Sequence, residues 1–262
     1  MRRLATLLAL CLVPGLAAAQ ALLAVIIDDV GNSLQRARQV VALPAPVTVA
    51  VLPRLPYSRL VAEAAHRSGH EVMLHQPMQS LRGKALGPGG LTLDHTRADL
   101  KAVLAANLAS VPHAAGVNNH MGSLLTGEPA SMRWLMDSLR ERGDLYFVDS
   151  RTNPRSVAAR VARDDGLPSA RRDVFLDNRR EPAEILRRLR QAVRLARLKG
   201  SAIAIGHPYP ETLAVLAREL PRLRHQGVEL RPVSHIIAYQ RSPETWHASS
   251  FPLPQVAKSS KR

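Results

Sequence analysis

Several short hydrophobic runs in this chain end in an acid or a histidine. Such runs, lying between turn residues, are typical of strands buried on both faces, and stretches with helical patterning separate them. In alternating strand–helix folds the carboxyl ends of the strands meet at one rim. We therefore expect these acids and histidines to converge in an active site. The residues concerned are Asp28, Asp29, His75, His120, Asp149 and His207.

Asp28 and Asp29 are adjacent carboxylates at the end of the run 25–27. Successive side chains of a strand point to opposite faces, unless the strand is breaking up at that point. Two acids placed there can divide the work, so that one binds a metal and the other accepts a proton. The alternative is a cluster of acids beside the start of the next helix, where negative charge is favourable.

His75 and His120 are the histidines best placed to share a metal with one of these carboxylates. Two imidazoles and one carboxylate leave coordination positions open, as in catalytic zinc sites. An ion held in this way acidifies water and polarises a carbonyl group. His207, which Pro208 follows, stands apart and is a candidate general acid. The structural alternative for each histidine is a buried ring with satisfied hydrogen bonds.

Polar residues that could contact or orient a substrate follow other runs. Asp149, Ser150 and Arg151 place an acid, a hydroxyl and a guanidinium in one loop. There Arg151 can orient a catalytic carboxylate or bind substrate, and hydrogen bonding within the loop is the alternative. Asn118 and Asn119, at the end of another apolar run, can supply polar contacts to the site. Asp177 can lie on the same rim.

The motifs of several common enzyme classes are missing from the sequence. It has no G-x-S-x-G, Walker A, G-x-G-x-x-G or H-E-x-x-H pattern, which excludes the common serine hydrolases, NTPases, dinucleotide enzymes and zincins. Cys11 is the only cysteine and lies near the start of the chain. A chain without Cys11 has no disulfide, thiolate metal site or cysteine nucleophile.

The first residues have the features of a secretory signal. Basic residues precede a short apolar run, and Ala17-Ala18-Ala19 offers a cleavage site, so we predict a signal peptide over 1–19 and a secreted or periplasmic protein. An uncleaved anchor is the alternative. One domain over 20–240 should follow, and then a disordered basic tail over 241–262 that is rich in Ser, Pro and Lys.

The chain is strongly basic, with a formal net charge of +15 at pH 7. Nucleic acid is the usual partner of such a protein. We predict no nucleic-acid partner, because the signal segment argues for export and the arginines are dispersed along predicted helices. A solvated basic surface is the simplest interpretation. Electrostatic association with an anionic cell envelope is the alternative.

The patterning predicts an α/β domain with mostly parallel strands. Helix starts are indicated by Asn32 or Ser33, by Thr96 with Asp99 in a capping box, and by Pro182 and Pro210 in first-turn positions. The glycine-rich stretch 76–95 follows His75 and should overhang the site. The predicted strands are 22–27, 47–52, 71–75, 115–119, 145–149, 172–176, 201–206 and 228–233.

With these residues in view, the sequence closely resembles the divergent polysaccharide deacetylase family of the NodB-like carbohydrate esterase superfamily. The resemblance covers about 22–239. It rests on the segments Ile27-Asp28-Asp29-Val30-Gly31, Leu74-His75-Gln76-Pro77-Met78, Gly116-Val117-Asn118-Asn119-His120-Met121-Gly122-Ser123, Phe147-Val148-Asp149-Ser150-Arg151-Thr152, Asp173-Val174-Phe175-Leu176-Asp177-Asn178 and Ile205-Gly206-His207-Pro208.

The resemblance implies a distorted (β/α) barrel of seven or eight mostly parallel strands and metal-dependent removal of acetyl groups from N-acetylated sugars. It implies that Asp28 accepts the proton, that Asp29 and His75 bind the metal, and that His207 is the late catalytic histidine. The superfamily's second metal histidine lies four residues after the first, where this chain has Gln79. From its placement, we infer that His120 takes that role.

The leading hypothesis is thus a secreted or periplasmic deacetylase that uses a divalent metal, zinc first, on an envelope glycan such as one derived from peptidoglycan. The rival is a catalytically weak or inactive protein of the same fold with a binding or regulatory role in the envelope. Gln79 and the scarcity of aromatic residues favour the rival, since sugar clefts often use aromatics for stacking. An amidase or esterase that uses the same metal is a third interpretation.

Overall fold

The computed structural model describes residues 21–44 and 46–242. The predicted signal peptide lies outside the described residues, as does the predicted tail from residue 243 onwards. Arg241 and Ser242 are described, and Arg241 ends the last helix. The strands are β1 (Ala21–Val30), β2 (Thr48–Val51), β3 (Glu71–Met78), β4 (Ala114–Met121), β5 (Tyr146–Asp149), β6 (Ser169–Arg171), β7 (Val174–Phe175), β8 (Ser201–Gly206) and β9 (Val228–Leu230).

Helices alternate with these strands, as the sequence pattern predicts. The capping box of Thr96 with Asp99 and the cap by Ser33 are both present, and Pro182 and Pro210 open their helices. The helices are α1 (Leu34–Val41), α2 (Ser58–Arg67), α3 (Arg97–Ser110), α4 (Pro129–Arg140), α5 (Ala158–Asp164), α6 (Pro182–Lys199), α7 (Pro210–Leu223) and α8 (Val233–Arg241).

The strands form one parallel sheet that curls into an incomplete barrel. Its order is β6-β5-β4-β3-β2-β1-β8-β7, and β9 pairs with the first residues of β1. Every strand pairing in this sheet is parallel. The carboxyl ends of the strands therefore lie at one rim, where ligand sites of such sheets are found.

Two consecutive residues form hydrogen bonds to opposite sides of the gap in the barrel. Arg172 donates its backbone N–H to Asp149 on the β5 side, whereas Asp173 donates its backbone N–H to Ile203 on β8. The predicted strand over 172–176 is therefore shorter in the structure, where β7 covers Val174–Phe175. The strand β6, which ends at Arg171, was not predicted. It pairs with β5, whereas β7 pairs with β8, because the chain crosses the gap in the barrel between them.

The sheet is buried on both faces, and alternate residues of β1 show why. Leu23, Val25 and Ile27 pack into the large layer beneath the outer helices. Leu22 and Ile26 pack into the smaller barrel interior, together with side chains of β8 and α8. Continuous apolar runs are what two buried faces require.

Helix α8 covers the interior of the barrel at the amino ends of the strands. The predicted strand over 228–233 is shorter in the structure, where β9 ends at Leu230 and α8 begins at Val233. Glu71 of β3 accepts hydrogen bonds from the backbone N–H groups of Val233 and Ser234. A distant residue thus caps this helix, and local sequence gives no sign of that cap.

No helix within the described residues is long and apolar enough to cross a bilayer.

Glu71 should contribute strongly to stability. Its Oε1 also accepts hydrogen bonds from the hydroxyls of Thr48 and Tyr146 at 2.9 and 2.8 Å. We expect Glu71→Ala to lower the free energy of unfolding by about 2–4 kcal/mol, because several buried donors lose a charged acceptor. Urea unfolding measures this. The control Glu141→Ala removes an exposed carboxylate paired with Lys101 and should change little. Equal losses in the two variants would contradict the capping role.

Candidate active site

A bulge in the central strand presents the two adjacent carboxylates. Between Ile27 and Val30 the register of β1 against β2 shifts, and one extra residue is accommodated in β1. Asp29 has a left-handed backbone, with φ of 59°. Because the strand is irregular here, the two side chains depart from the usual alternation. Asp28 becomes buried, whereas Asp29 is partly exposed at the rim.

Asp29 lies against two histidines from neighbouring strands. Its Oδ1 is 3.1 Å from Nε2 of His75 on β3 and 2.8 Å from Nδ1 of His120 on β4. The two imidazole nitrogens lie 3.2 Å from each other. The structure thus brings together the three residues for which the sequence predicts metal binding, and they form a group of potential ligands within the described residues.

The spacing of these atoms fits a small divalent cation. In a tetrahedral zinc site with bonds of about 2.0–2.1 Å, neighbouring ligand atoms lie about 3.3 Å apart. The three distances of 3.1, 2.8 and 3.2 Å are close to that edge length. Two imidazoles and one carboxylate also match the ligand chemistry of zinc and similar metals.

Asn118 orients two of the residues around this group. Its Oδ1 accepts a hydrogen bond from Nδ1–H of His75 at 2.7 Å, which directs the other ring nitrogen of His75 towards Asp29. Its amide nitrogen donates to Asp28 at 2.8 Å. Partners of this kind fix the tautomer and orientation of a metal-binding histidine. The sequence predicts polar contacts to the site from Asn118 as well as from Asn119. In the register of the sheet, Asn118 is the residue opposite His75.

The environments of the two carboxylates differ, and so do their pKa values. Burial raises the pKa of Asp28, and this outweighs the nearby histidines. Burial also favours a raised pKa for Asp29, but hydrogen bonds from His120 and His75 hold its pKa well below the usual range. Asp28 is therefore the stronger base of the two.

The pKa of His75 reflects both its burial and its acidic neighbours. Burial favours the neutral ring, but the charges of Asp28 and Asp29 outweigh this effect and raise the pKa of His75 to about 9. In the metal-free protein this imidazole is therefore protonated at neutral pH. A metal that binds His75 must displace that proton.

His207 lies on the other side of Asp29 and is held by an aspartate. Its Nε2 is 3.8 Å from Oδ2 of Asp29, and its Nδ1–H donates to Asp177 at 3.0 Å. Asp177 also accepts hydrogen bonds from the backbone N–H of His207 and from the hydroxyl of Thr212. Burial opposes charge on His207, but the contact with Asp177 and the charges of Asp28 and Asp29 raise its pKa. Asp177 thus lies on the rim.

The predicted orienting residues Asn119 on β4, Asp149 at the end of β5 and Arg151 in the next loop are linked by hydrogen bonds to the loop after β5. Asn119 accepts from the backbone N–H of Ser150, and Asp149 accepts from the backbone N–H of Arg151. Arg151 has an exposed side chain and a left-handed backbone with φ of 51°. These contacts shape the loop. That the three residues bind or orient the substrate stays a prediction.

The guanidinium of Arg172 stabilises this loop. Arg172 was not among the residues predicted from the sequence. It donates to the carbonyl groups of Ser150 and Arg151 at 2.7 and 3.0 Å. It also lies 4.9 Å above the ring of Phe175, whose centroid is 5.2 Å from that of His207. Arg172 therefore links the β5 loop to the side of the site that carries His207.

Gln79 is turned away from the candidate metal ligands. Its side-chain oxygen accepts a hydrogen bond from the backbone N–H of Leu93 at 2.8 Å. Its backbone N–H donates to Leu91, so both contacts fix the base of the loop that follows β3. This loop, predicted to overhang the site, contributes residues 85–88 to a cleft beside Asp29 and His120.

Comparison with known proteins agrees with this architecture. Residues 25–237 match the model of a family described as divergent polysaccharide deacetylase. The chain belongs to this family. An uncharacterized protein of Haemophilus influenzae is 40% identical over 205 residues, which cover 78% of this chain and 73% of that protein. The uncharacterized protein YibQ of Escherichia coli is 42% identical over 194 residues, 74% of this chain but only 60% of its own length.

Solved structures confirm the predicted NodB-like fold. An uncharacterized protein of Agrobacterium tumefaciens superposes with a TM-score of 0.80 at 25% identity, covering 84% of this chain and 90% of that one. A mutant CE4 family pseudoenzyme with restored enzymatic activity has a TM-score of 0.50 at 15% identity, over 84% and 68% of the chains. The peptidoglycan deacetylase PdaC of Bacillus subtilis has a TM-score of 0.52 at 12% identity, over 88% and 98%. The last two establish similarity of fold alone.

Removing His120 and removing Gln79 should have opposite consequences for metal binding. We expect His120→Ala to weaken zinc affinity by more than about 100-fold, because even outer-sphere partners of metal ligands contribute about 10–100-fold. Gln79→Ala should leave the affinity unchanged, since its side chain contacts Leu93. Competition with a chromophoric chelator measures both. A larger loss in the Gln79 variant would contradict this ligand assignment.

Zinc affinity should also rise with pH. The free protein carries a proton on His75 below pH 9, and the complex does not. The apparent affinity should therefore increase about tenfold per pH unit between about pH 7 and 9 and then level off. Chelator competition across this range, with calorimetry in buffers of different ionisation enthalpy, tests both the slope and the proton release. An affinity that is constant from pH 7 to 8 would show that no proton is displaced.

Proposed function

We propose that the protein is a secreted or periplasmic metal-dependent deacetylase that removes N-acetyl groups from an envelope glycan. The principal support is the arrangement around Asp29. Candidate metal ligands, a separate buried acid and a histidine–aspartate pair surround one opening at the rim of the sheet. Hydrolysis of an unactivated amide needs these elements together: an electrophile, a base and an acid.

Asp29, His75 and His120 would hold the ion, whose ligand set suits zinc. When bound there, a divalent ion would polarise the acyl carbonyl and lower the pKa of nearby water. Asp28 accepts the proton of the attacking water, and its burial makes it a better base than an exposed aspartate. The water oxygen adds to the acyl carbon and the carbon–nitrogen bond breaks. His207 gives a proton to the departing amine, so that the products are a carboxylic acid and a free amino sugar.

Asp177 positions this acid. Because it binds Nδ1–H of His207, the proton on Nε2 is the one that faces the site. The contact also raises the pKa of His207, which keeps the ring protonated in a larger fraction of molecules near neutral pH.

Three considerations support an envelope glycan as the substrate class. The signal peptide predicted over 1–19 favours a location outside the cytoplasm. PdaC, which has the same fold, is a peptidoglycan deacetylase. The basic surface is compatible with an anionic envelope polymer nearby.

The rival function is a catalytically weak or inactive protein with a binding or regulatory role in the envelope. Two observations favour it: glutamine at position 79, where the superfamily has a metal-binding histidine, and the pseudoenzyme among the structural neighbours. Elemental analysis and zinc titration separate the two functions, since the rival predicts neither bound metal nor affinity. An amidase or esterase would retain the metal and cleave a different acyl substituent.

The proposed function predicts that Asp28→Asn loses activity but keeps its metal. With zinc-loaded protein and N-acetylated glycan fragments, we expect acetate release by the wild type. Removing the general base should lower kcat by about 10²–10⁴-fold. Asp144→Asn, which changes an exposed carboxylate, serves as the control. If the metal-loaded wild type releases no acetate from any N-acetyl glycan tested, the proposed function fails.

A further inference from the structure

Asp29 and Asn32 line both of two neighbouring clefts, whose other lining side chains differ in type. Each has a volume of about 240 Å³. The polar cleft contains His207 and Tyr209 and is lined further by Ser33 and Arg36. The apolar cleft contains His120 and is lined by Leu52, Pro53, Leu55, Pro77, Leu86 and Pro88.

The wall of the apolar cleft is built as a fixed surface although it lies in an irregular loop. Gln76 and Asn107 both donate side-chain hydrogen bonds to the carbonyl group of Gly89, at 2.8 Å each. Asn107 in turn is held by the side-chain oxygen of Gln76. A Cβ at Gly89 would lie 2.1 Å from the side chain of Asn107, so the loop backbone packs directly against that amide.

Leu86 is positioned by the same packing. A Cβ at Gly90 would lie 2.6 Å from Cβ of Leu86, so this leucine occupies the space that the glycine leaves. The loop is also tied to neighbouring segments where Gln79 contacts Leu93 and where Leu81 donates its backbone N–H to Ser123. An apolar surface fixed in this way is available for binding without an ordering cost.

We propose that the apolar cleft binds the acyl group of the substrate and accepts apolar acyl chains longer than acetyl. This inference rests on the proposed function, in which His207 protonates the departing amine. Because His207 lines the polar cleft, the amine leaves on that side of Asp29. The acyl group therefore extends on the other side, past His120 and into the apolar cleft.

The size of the cleft sets the class of acyl group. A volume of 240 Å³ is much larger than one methyl group requires. It is also smaller than a complete ligand pocket of about 300–1,000 Å³, so it suits one substituent. An N-acyl amino sugar with a short to medium alkyl chain matches this space.

Alkyl hydroxamates test the inference through binding, independently of turnover. The hydroxamate group chelates the metal, and the alkyl chain takes the place of the acyl chain. Calorimetry with zinc-loaded protein should show affinity rising from acetohydroxamate to hexanohydroxamate by about fourfold per methylene, the value for a fully buried CH₂. The rise should stop once the cleft is filled.

Two variants locate the alkyl chain. Leu86→Gln and Leu55→Gln each place a polar group in the cleft, from separate segments, and should reduce the gain per methylene at least by half. Leu81→Gln is the matched control, since Leu81 belongs to the same loop but is 65% exposed and does not line the cleft. Thermal unfolding identifies any variant that fails to fold, and the other variant then decides.

The outcomes distinguish this inference from the proposed function. An affinity independent of chain length, or a chain-length dependence that neither cleft variant changes, would overturn the acyl-cleft inference alone. A complete lack of binding by every hydroxamate, acetohydroxamate included, would contradict the metal site and the inference together.

Discussion

The site depends on a single irregularity in the central strand. Asp29 has a left-handed backbone within a bulge of β1, a conformation that costs a residue other than glycine about 1–3 kcal/mol. Strain of this size persists only where the surroundings fix it. Here β2 and β8 pair with β1 on either side and extend to the bulge. With regular pleating, Asp28 and Asp29 would alternate across the strand, and the ligand group with His75 and His120 would not form.

With this backbone, Asp28 and Asp29 lie in different surroundings, which give their identical side chains different acid–base properties. Asp28 is buried with one amide donor, which favours its protonated form, whereas Asp29 faces two imidazoles, which favour its charged form. Separated pKa values of neighbouring carboxyl groups are the usual sign of divided acid–base roles. Asn118 couples the two environments, because one amide group orients both His75 and Asp28. Its position opposite His75 makes the register of β3 against β4 part of the chemistry.

The sequence predicted what depends on local pattern and residue type. Buried strands appear as apolar runs, and the capping box at Thr96 is a local signal that the structure reproduces. Contacts between distant segments were not accessible in this way. The cap of α8 comes from Glu71 on a distant strand, and the break between β6 and β7 reflects the two sheet edges that meet there. Asn118 and Asn119 are equivalent by type, and only the register of the sheet tells them apart.

The departure of this chain from the superfamily pattern has a structural counterpart. A side-chain oxygen at position 79 that accepts the N–H of Leu93 supports the loop after β3, and it cannot at the same time bind a metal at the rim. The predicted ligand His120 presents its imidazole from β4 instead, where pairing with β3 extends to its backbone. A ligand carried by a strand is positioned more precisely than one carried by a loop. The same loop contributes Leu86 and Pro88 to the wall of the apolar cleft beside His120. The side chain of Gln79 thus supports the segment that forms this wall, and the imidazole nearest to the wall comes from a strand.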